Sequence, residues 1–187
     1  MRFAHPVRHQ RGFTLIELLI VVIILAILAA IVVPQFASTT GDAKESALDS
    51  NLATMRSAIE LYKVQHQNIY PGVVPSIAAP TCSGTAGSRA GGDQTVIDQL
   101  IMASDASGNT CTAADTNYRF GPYLRGAIAV EPISGKGTKA AEIIVTTTGA
   151  PVTPTAATGG WAYDSKTGQL FANSNTPDVK GKPISTH

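Results

Sequence analysis

The longest apolar run of the chain lies close to its beginning. No residue from Leu18 to Val33 is polar, and the run extends back to Phe13 with Glu17 as its one carboxylate. At 1.5 Å per residue, a helix of this length measures roughly 31 Å, which is enough to cross the hydrocarbon core of a bilayer. The pattern therefore predicts a membrane-spanning helix over residues 13–36.

A second helical pattern follows, with apolar residues at alternating steps of four and three positions. This spacing places them on one face and predicts an amphipathic helix over residues 37–67, whose apolar face packs against the protein's own sheet. Pro34 and Gly41 lie near the junction and predict a kink or local break, because proline removes a backbone hydrogen bond and glycine weakens a helix. The stripe consists of Leu48, Leu52, Met55, Ile59 and Tyr62.

The remaining residues, 68–187, alternate turn-forming residues with short apolar segments. Pro71 and Gly72 predict the end of the long helix, and apolar spacing predicts a short second helix over 94–103. The predicted fold is α+β, with the long N-terminal helix packed on a small antiparallel sheet of about three or four strands. The predicted strands lie around 127–130, over 142–148 and in a hairpin over 160–172, from which Trp161, Tyr163, Leu170 and Phe171 pack against the long helix.

Charge predicts which way the chain crosses the membrane. The 187-residue chain has a formal net charge of +1, but Arg2, Arg8 and Arg11 all precede the apolar run, and acidic residues follow it. By the positive-inside rule, residues 1–12 stay in the cytoplasm and the C-terminal region lies outside. Without these arginines the net charge is −2, which argues against a broad surface for nucleic acid. An ordinary secretory signal is the alternative, but Leu28 stands where its cleavage site needs a small residue.

The segment GFTLIELLIVVIILAILAAIVVP resembles the N-terminus of type IV pilins and of the pseudopilins of type II secretion, and Gly12, Phe13, Glu17 and Pro34 each match the family pattern. The resemblance implies that a membrane prepilin peptidase cuts after Gly12 and then methylates the new terminal residue, Phe13. The implied organisation is a cleaved basic leader (1–12), a transmembrane assembly helix (13–36), an amphipathic helical spine (37–67) and a globular head (68–187).

Glu17 is the unusual residue of the apolar run, because a charge costs roughly 2.5–3.5 kcal/mol at the centre of a membrane helix and less near its end. One interpretation is that Glu17 lies one turn from the helix start and simply reaches the headgroups. The other begins with cleavage after Gly12, which leaves an ammonium group on Phe13, four residues before Glu17. That ammonium group and Glu17 of a neighbouring subunit would then form an assembly salt bridge.

Two cysteines, Cys82 and Cys111, lie in the region that is predicted to be exported. An even pair in an oxidising compartment predicts a disulfide, and closing a loop of this length corresponds to about 3–4 kcal/mol of stabilisation in the chain-entropy model. Two free thiols are the alternative. Neither cysteine belongs to a CxxC pair, so the sequence predicts no zinc site.

The sequence contains no G-x-S-x-G, no H-E-x-x-H and no Walker-type glycine loop, so it predicts no enzyme. The glycine-rich stretch at 134–137 lacks the spacing of a phosphate loop and is predicted to be an exposed turn. The resemblance raises the question of calcium, which the major pseudopilin of type II secretion commonly binds in an acidic C-terminal loop. Here the late acidic residues are only Asp164 and Asp178, so we expect no cofactor and leave calcium open.

The leading hypothesis is a structural subunit that polymerises through its N-terminal helix, as a pseudopilin of a type II secretion system. The second is a pilin of a type IV pilus, for adhesion, twitching motility or DNA uptake, and the third is a membrane-tethered periplasmic enzyme or binding protein. The expected partners are copies of the chain, other pilin-like subunits, the prepilin peptidase/methyltransferase, an inner-membrane assembly platform and, before assembly, membrane lipid, but no nucleic acid. The expected location is the bacterial inner membrane, with the head outside, and then a periplasmic or extracellular filament.

Overall fold

The structure is a computed structural model that describes residues 12–150, 153–154 and 156–187, without the side chains of residues 34–38. The predicted leader, apart from Gly12, lies outside these residues, and so do its three arginines. The chain divides into two compact units, one reaching to Thr40 and the other formed by Gly41–His187. We call the second unit the head.

One long helix, α1 (Leu15–Gln65), runs through both units. The local break that the sequence predicts is wrong, because the helix continues through Pro34 and Gly41. At Gly41 the structure shows a packing reason for glycine: an added Cβ would lie 2.7 Å from Cγ1 of Val179, which is too close for a real contact. A bend of the helix at these two positions stays a prediction.

The apolar stripe of α1 is buried in the core of the head, as the spacing predicts. All five residues are at most 2% exposed: Leu48, Leu52, Met55, Ile59 and Tyr62. The helix ends at Gln65, and the next turn includes two residues with positive φ, Gln67 (55°) and Asn68 (66°). The helix therefore ends two residues before the predicted end at 67 and ahead of the Pro71-Gly72 stop. Packing of the apolar face supplies most of the stability of this half of α1.

His66 continues the buried stripe by one more turn. Its side chain is 1% exposed, and the ring stacks on Tyr62 with the ring centroids 3.8 Å apart. One ring nitrogen lies 2.8 Å from the Tyr62 carbonyl oxygen, and the other lies 3.1 Å from Oγ of Ser104. Burial disfavours the charged ring and lowers the pKa of His66 below the usual value for histidine, so the neutral ring is the folded form.

We expect the free energy of unfolding to fall as the pH drops below about 6.5, the pKa of histidine in an unfolded chain. Because the folded pKa of His66 is the lower one, the unfolded chain binds more protons in this range, and the loss is at most about 1.4 kcal/mol per pH unit. Denaturant unfolding of the full chain in detergent, between about pH 7.5 and 5, measures this slope. His66→Gln should flatten the slope; an unchanged slope would show that other groups cause it.

A second helix and a small two-stranded sheet lie beside the disulfide. Helix α2 (Asp93–Ile101) buries Val96, Ile97 and Leu100 in the core, close to the predicted 94–103. Strands β1 (Ala103–Ser104) and β2 (Thr110–Cys111) pair antiparallel. The sequence analysis missed both strands, because two-residue strands are too short to show an alternating pattern.

The main sheet has three strands in the order β3-β4-β5: β3 (Ile143–Thr146), β4 (Trp161–Asp164) and β5 (Leu170–Ala172). The β4–β5 hairpin is antiparallel, as predicted. The β3–β4 pair is parallel, with Ile143 opposite Trp161, so the sheet is mixed and the prediction of a purely antiparallel sheet is corrected. The connection over 147–160 allows this pairing, because parallel neighbours need a crossover of about a dozen residues or more.

The predicted strand at 127–130 is absent, although Ile128 is buried in the core. Side chains occupy the carbonyl oxygens that a strand partner would use there. Trp161 Nε1 donates to the Ala129 oxygen at 2.8 Å, and Asn51 Nδ2 donates to the Val130 oxygen at 2.9 Å. These residues therefore form an irregular segment pinned by side chains, which a local pattern of apolar residues does not distinguish from a strand.

The hairpin packs large side chains on α1. The sequence predicts this for four residues, and the prediction is confirmed for three of them. Trp161, Tyr163 and Leu170 belong to the same buried cluster as the α1 stripe. Tyr163 also donates its hydroxyl hydrogen to the Pro71 carbonyl oxygen at 3.1 Å, which ties the sheet to the end of the helix. Phe171 is half-buried and lies outside the cluster, because its neighbours Leu170 and Ala172 take the inward face of the strand.

Candidate assembly segment

The first described residues form a helix start that the sequence analysis missed. Thr14 precedes α1, and both its backbone N–H and its hydroxyl donate to Oε2 of Glu17, at 2.8 and 2.7 Å. The N–H of Glu17 donates back to Oγ1 of Thr14 at 3.3 Å. This reciprocal arrangement is a capping box, and its signal in the sequence is the threonine three residues before a glutamate at the head of an apolar run.

The capping box changes the interpretation of Glu17. The carboxylate accepts the backbone N–H of Thr14 at the helix start, where a negative charge also interacts favourably with the helix dipole. Phe13 is the residue directly before the cap and is 88% exposed. A cut between Gly12 and Phe13 would therefore place an ammonium group beside a carboxylate that is already held in position.

The surface of the apolar half of α1 is exposed around its whole circumference. Every residue from Leu15 to Val33 is exposed in the isolated chain, and the least exposed of its large apolar side chains, Val32, still shows 42% of its surface. This 19-residue stretch of helix is long and apolar enough to cross a membrane. A helix that is apolar on all sides needs an apolar environment on all sides, which lipid or a bundle of like helices provides.

The predicted disulfide is present in the head, between Cys82 and Cys111, whose Cα atoms are 5.7 Å apart. Cys111 lies in β2 and is fully buried, so the bond anchors the loop before α2 to the small sheet. The cysteine pair belongs to the head, whereas Gly12, Phe13 and Glu17 belong to the other unit. The chain thus combines a segment suited to an apolar environment with a head suited to an oxidising compartment.

The two late acidic residues, Asp164 and Asp178, each accept backbone N–H groups. Asp164 accepts from Gly149, Lys166 and Thr167 at 2.8 to 2.9 Å. Burial opposes its charge, but these amides outweigh burial and lower the pKa of Asp164. A calcium ion would have to displace such donors, and within the described part of the chain no three His, Cys, Asp or Glu residues are grouped to hold a metal.

Comparisons with known proteins agree with these features. Residues 7–33 match the family described as "Prokaryotic N-terminal methylation motif". The type IV narrow pilus major component PilA5 of Thermus thermophilus is 35% identical over 107 residues, which are 57% of this chain and 73% of that protein. Type II secretion system core protein G is 44% identical over 59 residues in Pseudomonas aeruginosa and 38% identical over 64 residues in Aeromonas hydrophila.

The coverage differs between the two kinds of relative. The chain spans 42% of the Pseudomonas protein and 44% of the Aeromonas protein, and the matched part is about a third of this chain (32% and 34%). No solved structure matches the chain. The match to the pilus component is the longer one and extends beyond the apolar run.

An exposed apolar helix with a capped start, followed by a disulfide-bonded α+β head, defines a membrane-anchored protein of pilin-like architecture. The chain belongs to the family of type IV pilins and pseudopilins, whose precursors carry the prepilin N-terminal methylation motif. It is a pilin-like filament subunit and not an enzyme. Membership of this family implies processing by a prepilin peptidase and assembly with other pilin-like subunits.

Proposed function

We propose that this protein is a pseudopilin of a type II secretion system, whose subunits polymerise into a periplasmic filament through α1. The observation that carries the proposal of a filament is the fully exposed apolar surface from Leu15 to Val33, joined to a capped Glu17. Packing such helices side by side buries the same apolar surface that lipid covers before assembly. The partners are copies of the chain, other pilin-like subunits and an inner-membrane assembly platform.

Glu17 has a specific role in this proposal. Cleavage after Gly12 gives Phe13 a positive charge at the N-terminal end of the helix, where the dipole disfavours it. Inside a bundle of apolar helices that charge needs a carboxylate, because an unpaired buried ion costs several kcal/mol. Glu17 of a neighbouring subunit supplies it, and the capping hydrogen bonds from Thr14 hold that carboxylate at the helix start.

Three observations bear on which filament the protein forms. The Tyr70-Pro71 turn after α1 resembles secretion pseudopilins, and relatives from type II secretion systems match about a third of the chain. The longer match, to the type IV narrow pilus component, favours a surface pilus as the second candidate. In both cases the leader stays in the cytoplasm and the head lies outside the inner membrane, which is consistent with the Cys82–Cys111 disulfide.

We expect the mature protein to begin at Phe13 and to carry one methyl group on its amino nitrogen. N-terminal sequencing and intact-mass measurement of the membrane-bound protein check this directly. Gly12→Ala should leave the uncut precursor in the membrane, with its basic leader intact. A mature protein that begins after Ala30, or an uncut precursor in wild-type cells, would contradict the processing step.

A shearing experiment on the native organism, at native expression, tests the choice of filament. Under the pseudopilin proposal, sheared material lacks the protein, the membrane fraction holds the processed chain, and a deletion strain accumulates exoproteins in the periplasm. Long surface filaments that contain the protein, together with normal secretion in the deletion strain, would replace the proposal with a type IV pilus. Electron microscopy with an antibody against the head identifies the filaments in either case.

A further inference from the structure

The connection between β3 and β4 has a composition that its role in the fold does not require. Residues 147–158, which we call the threonine connection, consist of five threonines, three alanines, two prolines, one glycine and one valine, without a charged residue. The structure describes 147–150, 153–154 and 156–158, and these residues form no helix or strand. A crossover between parallel strands needs only sufficient length, and it is usually a helix. The composition therefore indicates a purpose other than packing.

The threonine connection presents hydroxyl groups that the fold does not use. Its described threonines are all exposed: Thr147, Thr148, Thr153 and Thr158. In the described part of the chain, none of the four donates its hydroxyl hydrogen to another group. Thr146, one residue earlier in β3, shows the contrast, because its hydroxyl donates to Oδ2 of Asp164 at 3.1 Å. The four exposed hydroxyls are therefore open to an approaching enzyme.

The backbone of the threonine connection is held by the sheet and by the loop before it. The N–H of Gly149 donates to Oδ2 of Asp164 at 2.9 Å, and Nζ of Lys136 donates to the carbonyl oxygen of Thr158 at 2.8 Å. Among the described residues, no hydrogen bond joins this connection to α1. A group added to its side chains would thus leave the contacts between α1 and the core in place.

We propose that the threonine connection is an O-glycosylation site, at which a sugar is attached to one or more of the four exposed threonines. Segments rich in threonine and proline, with few charged or large apolar residues, are typical acceptors of O-linked sugars. Proline disfavours helix and keeps the preceding residue extended, so such a segment fits the cleft of a transferase. The proposal rests on the location of the head outside the inner membrane, which is part of the proposed function.

This location determines the class of sugar donor. Outside the inner membrane the membrane itself must hold the donor, and a sugar linked through a diphosphate to a polyprenyl lipid meets this requirement. The threonine oxygen attacks the anomeric carbon and forms the glycosidic bond, while the bond from that carbon to the diphosphate oxygen breaks. The diphosphate lipid leaves with the electron pair, and the hydroxyl proton passes to a base of the transferase. Before assembly, the apolar half of α1 keeps the chain in the same membrane as this donor.

Mass spectrometry of the protein, purified from the native organism at native expression, tests the site. Trypsin cuts after Lys139 and Lys166 and releases the threonine connection within one peptide, 140–166. We expect this peptide to be heavier than its sequence by one or more whole sugar residues, which mild alkali releases from threonine. Fragmentation by electron transfer keeps the glycosidic bond and assigns the sugar to individual threonines.

An unmodified peptide would overturn the proposal, and so would a phosphate in place of the sugar. The N-terminal peptide of the same digest reports on the proposed function separately. A methylated Phe13 at the start shows that processing occurred, whether or not the threonine connection carries a sugar. A sugar on a chain that still begins at Met1 would support the site and contradict the processing step.

Threonine variants assign the modification to the connection. A fourfold variant should lose the added mass of peptide 140–166 completely and keep normal N-terminal processing: Thr147→Ala, Thr148→Ala, Thr153→Ala and Thr158→Ala. Thr116→Ala combined with Thr138→Ala is the matched control, because both threonines are exposed but lie beside Asp115 and Lys139 rather than beside prolines. This control should keep the wild-type sugar. Sugar that persists in the fourfold variant, or that is lost in the control, would overturn the assignment to these four threonines.

Discussion

Glu17→Gln should remove the protein from filaments while leaving processed protein in the membrane. Glutamine at this position still accepts the hydrogen bonds from Thr14, so the capping box and the helix start are retained. Only the negative charge is lost, and the ammonium group of a neighbouring Phe13 is left unpaired in an apolar bundle. That costs about 3–5 kcal/mol per contact, or roughly a hundredfold or more in the association constant of each subunit.

The measurement is the fraction of the processed protein that chemical cross-linking in intact cells recovers as multimers, by quantitative immunoblot, because the proposed filament is periplasmic. Thr14→Ala is the matched control. It removes the hydroxyl from the cap, which lowers the stability of the helix by about 1 kcal/mol, but it keeps the Glu17 charge. We expect this control to assemble nearly normally, and Glu17→Ala, which loses cap and charge, to fail. Normal assembly of Glu17→Gln would contradict the proposed salt bridge, and Glu17 would then have the capping role alone.

Trp161→Ala should produce the largest loss of stability of a single core substitution in the head. Trp161 is fully buried, packs with the α1 stripe, and donates through Nε1 to the Ala129 carbonyl oxygen. Truncation leaves a cavity and an unpaired carbonyl, so we expect the free energy of unfolding to fall by about 3–5 kcal/mol. Because Trp161 is the protein's one tryptophan, unfolding in urea should be followed by pulse proteolysis rather than fluorescence.

Phe171→Ala is the matched control for this prediction. Phe171 lies opposite Ala162 in the same hairpin, but it is half-buried and lies outside the core cluster. We expect it to lose less than half as much stability, since fewer packing contacts are removed. Trp161→Phe should fall between the two, because it keeps most of the volume but not the N–H. Equal losses in Trp161→Ala and Phe171→Ala would contradict the placement of the core.

The two halves of α1 show why one continuous helix serves two purposes. Around Leu25 every face is apolar, so the helix can be surrounded by lipid or by other helices. From Leu48 to Tyr62 the apolar residues keep to one face, so the helix can cover a core and still meet water. The change from one pattern to the other falls near Gly41, where the contacts divide the chain into two units.

The sequence by itself predicted the elements whose signals are local and strong. The apolar run is long and uninterrupted, the stripe from Leu48 to Tyr62 repeats the period of a helix, and the β4–β5 hairpin has two short strand patterns around a glycine-containing turn. The motif around Gly12 and Phe13 predicted the family, which the comparisons support. The capping box of Thr14 and Glu17 was also readable, since its spacing is a known signal, but it lies at the edge of the more conspicuous apolar run.

Tertiary structure alone decided the features that join residues far apart in the chain. The parallel pairing of β3 with β4 joins strands far apart in the chain, and the irregular path at 127–130 depends on donors from Trp161 and Asn51. The placement of His187 between Asp49 and Asp178 has no local signal at all. Hydrophobic periodicity reports only which face of an element is buried; the partner on that face is selected by the packing of the whole core.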